Sequence, residues 1–221
     1  RKDGNLRKDR ITDKNHKQNI VMNRNIIIDL FLYFARFPQR QGVLDIFNKG
    51  RSEIPGYDSL KSLVESMPDT PVLPEVGGFV FGPNFDAVKT CVSQLTGYYL
   101  FVDYGDIKTD TDKSNRIADT FQVAATIAGK TTEFTGDLVD QTLISANTLD
   151  MVTRMRNLMI QEQRERYSFK KISDKHSITP FISPEFESIG WTLMFDRQAF
   201  DLFDAKKMSF SGDRETDNFG L

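Results

Sequence analysis

The residues with the most chemical reach lie in one short stretch. Between Gly97 and Thr131 the chain reads GYYLFVDYGDIKTDTDKSNRIADTFQVAATIAGKT, with Asp103, Asp106, Asp110, Asp112 and Asp119 set among apolar runs. Carboxylates spaced this way can hold a hard cation or divide acid and base duties. The closest approach to a metal motif is Asp110-x-Asp112-x-Ser114, which opens like a calcium loop. Such a loop needs glycine at its sixth position for a sharp turn and a bidentate glutamate at its twelfth. Asn115 and Phe121 stand there instead. A solvated hairpin connection accounts for the aspartates, because Asp favours turns for backbone reasons.

Nucleophilic chemistry finds no better footing. The two histidines, His16 and His176, both lie in polar segments, and no G-x-S-x-G elbow is present. With Cys91 as the single cysteine, neither an internal disulfide nor a Cys/His zinc site is expected, and Cys91 reads as a small hydrophobe on a helix face. A reducing cytoplasm fits that cysteine usage. GGFVFG at 77–82 has neither P-loop nor G-x-G-x-x-G spacing. Carboxylate pairs for glycoside chemistry stay open, since Asp and Glu are abundant. The expectation is a protein that is not an enzyme and uses no cofactor or metal.

Charge supplies the remaining candidates. Residues 1–25 hold eight basic and three acidic residues, a net of +5, which leaves 21 basic against 28 acidic, −7, in the rest. This basic arm, with Arg1, Lys2, Arg7, Lys8 and Arg10, could meet nucleic acid or an acidic neighbouring subunit; a solvated terminus is the plainer alternative. Arg154, Arg156, Arg164 and Arg166 form a second basic set on a predicted helix, interleaved with Asp150, Glu162 and Glu165. A mixed face of that kind suits solvation or subunit contact.

These groups must be held by a frame, and hydrophobic periodicity outlines it. With 221 residues, 39% apolar and 27% charged, the chain reads as one globular domain with appendages. No apolar run is long enough to cross a bilayer, and no leader pattern opens the chain, which begins on Arg1 and so leaves a preceding segment open. Ile27, Leu30, Phe31 and Phe34 recur at helical spacing, and Pro38 ends the run. Residues 39–78 are rich in Gly and Pro and read as a loop excursion built for interaction, with short helices at 43–48 and 58–66. A strand at 79–82 precedes a helix capped by Asn84, with Phe85, Val88, Val92 and Leu95 on one face. Strands follow at 98–104 and 119–128.

Asn147-x-x-Asp150 resembles a capping box that opens a long amphipathic helix with Leu149, Val152, Met155, Leu158 and Met159 on its apolar stripe. In SIGWTLMFD, Ile189, Trp191, Leu193 and Phe195 alternate on one face of a strand. Trp191 and Leu193 are expected to share a core with Val152 and Met155. The sum is an α+β fold: an antiparallel sheet packed by an N-terminal helix and a long amphipathic helix, with extended terminal arms. The domain plan is an arm at 1–25, a core at 26–207 and a polar tail at 208–221.

The order of DTFQVAATIAGKT (119–131), SANTLDMVTRMRNLMIQ (145–161) and FESIGWTLMFD (186–196), after a leading helix, resembles the tail terminator or tail completion proteins of long-tailed bacteriophages. The resemblance covers residues 20–36 and 98–196 and lies in element order and apolar pattern. The 39–78 excursion, the arm and the tail are additions to that pattern. It implies a structural virion protein of the tail or neck, assembled in the host cytoplasm. Its partners would be itself in a ring, tail-tube proteins and head-connector proteins, with non-specific DNA contact as a further option and no membrane. The alternatives are a nucleic-acid-binding accessory protein that uses the basic arm, a soluble enzyme of unrecognised type, and a single domain of a larger machine.

The failed calcium-loop geometry makes one prediction. Calorimetry with calcium and magnesium should detect no saturable micromolar binding. Saturable binding that disappears in the double variant Asp110→Ala, Asp112→Ala would contradict it.

Overall fold

A computed structural model describes residues 26–47, 52–83, 85–111, 117–131, 137–165 and 172–200. The arm at 1–25, the tail at 208–221 and the expected helix cap Asn84 lie outside the described residues. In chain order the elements are α1 (Ile26–Ala35), α2 (Arg40–Leu44), α3 (Tyr57–Glu65), β1 (Val76–Gly82), α4 (Phe85–Ser93), β2 (Tyr98–Thr111), β3 (Ile117–Lys130), α5 (Leu138–Glu165), β4 (Ser177–Ser183) and β5 (Ser188–Phe200). A 3-10 turn at Pro184–Phe186 joins β4 to β5. The strands make one sheet in the order β1-β2-β3-β5-β4, and the class is α+β.

The sheet is mixed, which corrects the expectation of a wholly antiparallel one. β1 runs parallel to β2, with Phe79 opposite Leu100 and Phe81 opposite Val102; the other neighbours are antiparallel. Parallel neighbours need a crossover, and α4 supplies it. Local periodicity reads strand, helix, strand there but is silent on direction.

Strand alternation divides the apolar residues between the two faces. On one face Phe79, Leu100, Val102, Ala125, Ile127 and Leu193 pack against α1 and α5. The shared core expected of Trp191, Leu193, Val152 and Met155 is present: the last three are buried, and Trp191 is half-buried against them. The Trp191 indole N–H donates to the Ser145 carbonyl at 3.0 Å, which gives its polar edge a partner. On the other face Val80, Tyr99, Phe101 and Ala128 pack under Val88 and Val92 of α4 and under Phe186.

Three further readings change. The 39–78 excursion is a packing element: Val43, Phe47, Val64, Leu73 and Val76 are buried in the main core, and Phe47 meets Phe31 edge to face. Its Gly42 is required by contact, because a Cβ there would stand 1.9 Å from the Gly77 carbonyl oxygen. Asn147 caps nothing. α5 begins nine residues earlier, at Leu138, where Asp137 Oδ1 accepts from the Val139 N–H at 2.8 Å. The segment around His176, read as merely polar, leads into β4, whose outer position leaves all but Ser183 partly buried or exposed.

β5 lies close against β3 at Gly190, opposite Ala128. A Cβ at this position would stand 2.1 Å from the Ile127 carbonyl oxygen and 2.6 Å from the Ala128 Cα. Backbone cannot yield as a flexible side chain can, so Gly190→Ala should force the strands apart and destabilise the fold by roughly 1–3 kcal/mol. Denaturant melts of the two proteins measure it. An unchanged midpoint would contradict the close approach.

Candidate functional site

Of the predicted basic contacts, only Arg154 and Arg156 have side chains among the described residues. Arg1, Lys2, Arg7, Lys8, Arg10 and Arg166 lie outside the described residues, and Arg164 falls within α5 with its side chain outside them. Arg154 ion-pairs with Glu75 at 2.7 Å and with Asp150 at 3.0 Å. Arg156, two residues on and so on a different side of the helix, donates from Nε to His176 Nε2 at 2.7 Å and from Nη1 to Asn157 Oδ1 at 3.1 Å. Both guanidinium groups are thus engaged within the chain.

The acidic stretch lies on the antiparallel β2–β3 pair, exposed from Gly105 to Thr111, and the strands run further than the spans expected from the sequence. Asp106 and Asp110 belong to β2, and Asp119 is fully buried in β3, accepting from Thr109 Oγ1 at 2.6 Å; Asp112 lies outside the described residues. The two strands continue past a register shift between Tyr104 and Ile107, so the aspartates sit on a long ribbon. Among the described residues, no group of three or more His, Cys, Asp or Glu is placed to hold a metal ion.

One of these aspartates lines a cleft. Asp103, Ala124, Met194 and Ser177 are opposite one another across four strands, on the face that α4 covers only near its other end. With Gln122, His176 and Asp196 they border an open cleft of about 670 Å³. Asp103 Oδ1 is buried there without a hydrogen-bond partner among the described residues. Burial raises the carboxyl pKa, partly opposed by a hydrogen bond from the Tyr104 backbone.

A second polar cluster ties the helices of the opposite face together. Arg36, just past the end of α1, pairs with Glu162 of α5 at 2.6 Å, Tyr33 of α1 donates to the same carboxylate at 3.0 Å, and the guanidinium lies 4.3 Å from the Tyr33 ring centre. Burial pushes the Tyr33 phenol up and works against the charge on Arg36, but Glu162 and Tyr33 together outweigh it and hold that guanidinium charged. This cluster fixes α1 against α5.

The largest departure from a solvated surface is at the start of α5. Leu138 is 78% exposed, Val139 65%, Leu143 55% and Ile182 68%, with Leu149 also exposed. Leu138, Leu149, Phe181, Ile182 and Ile189 line a groove of about 560 Å³ between the helix and the β4–β5 hairpin. Starting the helix at Asn147 misses Leu138, Val139 and Leu143, and leaving β4 out misses Phe181 and Ile182; Leu149, expected on the core stripe, is exposed. The signal was Asp137 followed by Leu138, Val139 and Leu143, a cap ahead of apolar residues at helical spacing. β4 is the last strand of the sheet, and Pro180 at its centre lacks an N–H, which disfavours addition of another strand. The groove therefore invites side-chain docking.

The cleft yields a pH prediction. A raised pKa means that the folded chain holds the Asp103 proton more tightly than the unfolded chain, so this group favours folding as pH falls through the raised value. At neutral pH the buried charge opposes folding. Asp103→Asn should raise the melting temperature at pH 7, and the gain should shrink towards acid pH; an unchanged or lower value at pH 7 would contradict it. Comparison with protein families, with curated proteins and with solved structures finds no match to this chain.

Proposed function

We propose that the protein is a structural subunit of a long-tailed bacteriophage virion, acting as a ring component of the tail or neck that caps the tail tube and joins it to the head connector. The observation that carries the reading is the apolar end made by Leu138, Val139, Leu143, Leu149 and Ile182. Large contiguous apolar surface is uncommon on proteins that work alone and marks contact surfaces. In a closed ring each subunit presents one surface to each neighbour, and the groove would face a second copy. Pro180 favours a contact built from side chains over one that extends the sheet.

The segments behind the resemblance also form a physical unit. β3 and β5 pair directly, and α5 lies against both. The nucleic-acid reading has less support, because Arg154 and Arg156 are held by Glu75, Asp150, Asn157 and His176. It rests on the arm, Arg164 and Arg166, whose side chains lie outside the described residues. No helix among the described residues is long and apolar enough to cross a membrane.

Light scattering on the full chain tests the proposal. The expected mass is a multiple of the 25.3 kDa subunit, falling to one subunit in the double variant Leu143→Asp, Ile182→Asp with its circular dichroism unchanged. A wild-type mass of one subunit at every concentration would overturn the ring. An oligomer untouched by the double variant would overturn this surface as its contact.

A further inference from the structure

His176 lies just before β4, between α5 and the cleft beside Asp103, and both of its ring nitrogens are engaged. Arg156 Nε is 2.7 Å from Nε2, and the Ser173 carbonyl oxygen is 3.0 Å from Nδ1. A guanidinium can only donate and a carbonyl can only accept. Both contacts therefore require a neutral imidazole with its hydrogen on Nδ1 and its lone pair on Nε2. The same segment has two more ties: the Ile172 N–H donates to Gln163 Oε1 at 3.1 Å, and the Asp196 N–H donates to Ser173 Oγ at 3.1 Å.

We infer that His176 and Arg156 form an acid-released latch, which ties residues 172–177 and the start of β4 to α5 while the imidazole is neutral and frees them when it is protonated. Protonation fills the lone pair that Arg156 uses and sets two cations against each other. The tie holds while the ring is neutral and is lost once falling pH protonates it. The charged groups around the ring are Arg156 from α5, Asp103 from β2, Asp196 from β5, and Asp174 and Lys175 from its own segment. Asp103 and Asp196 border the cleft on the far side from Arg156 and offer the imidazolium a place to turn. β4 is the outer strand and its far end lines the apolar groove, so the latch controls how firmly that wall is held. The inference rests on these contacts and not on the phage reading.

The test uses the full chain carrying His16→Gln, which leaves His176 as the single imidazole. Long-range proton–nitrogen spectra taken from pH 8 to pH 5 read its tautomer and titration. Hydrogen exchange, corrected for intrinsic rates, reads the protection of residues 172–177. The expected result is an Nδ1–H ring at pH 8 and a loss of protection of about fivefold as the ring titrates, the worth of one hydrogen bond. His176→Gln keeps an acceptor but cannot titrate, and should remove the step; Arg156→Leu should leave the segment loose at both pH values. Asp103→Asn should keep the step. An Nε2–H tautomer at pH 8, or titration of the ring with protection unchanged, would overturn the latch.

Discussion

The constraint on which the structure depends is that β3 is paired on both sides along its length. From Ala118 to Lys130 every residue has a partner on β5, and all but a few also have one on β2. A strand so placed has no free edge, and its side chains must satisfy two faces at once. It does so with Val123, Ala125 and Ile127 towards one core and Ala128 towards the other, while the buried Thr126 hydroxyl meets that of Thr192 at 2.8 Å. Gly190 allows β5 to approach closely enough for this ladder to hold.

The covering elements follow from that strand. α5 is long enough to lie along β3 and β5, and α1 is tied to it by Arg36 and Glu162. Among the described residues, the opposite face has the short α4 and the 3-10 turn, which cover the end near Tyr99 and Ala128 and leave the row through Asp103 and Met194 open. Two candidate surfaces among the described residues arise where coverage runs out. One is the polar cleft with a desolvated carboxylate. The other is the apolar groove at the start of α5, where the helix reaches past the core and carries leucines into solvent.

What could be read from the sequence was what periodicity encodes. The alternation through Phe121 to Ile127 and through Ile189 to Phe195, and the stripe of Val152, Met155 and Met159, reflect burial on one side of regular elements, and the structure places them accordingly. β4 escaped because an outer strand with Pro180 at its centre buries too little to enforce alternation. The first turns of α5 escaped because Leu138, Val139 and Leu143 break the usual link between apolar character and burial. The parallel pairing of β1 with β2 is a property of the crossover and has no local signature. The charged residues were least legible: Arg154 finds Glu75 across 79 positions, and His176 finds Arg156 across 20. No spacing rule announces such partners.

The central claim is that the chain is built to meet copies of itself through its apolar end and does its work as part of an assembly. Electron microscopy of the purified full-length protein tests it most directly. The account predicts closed rings in which the end bearing Leu143 and Ile182 is buried against the next subunit. Particles of a single copy, or rings with that end facing solvent, would contradict it.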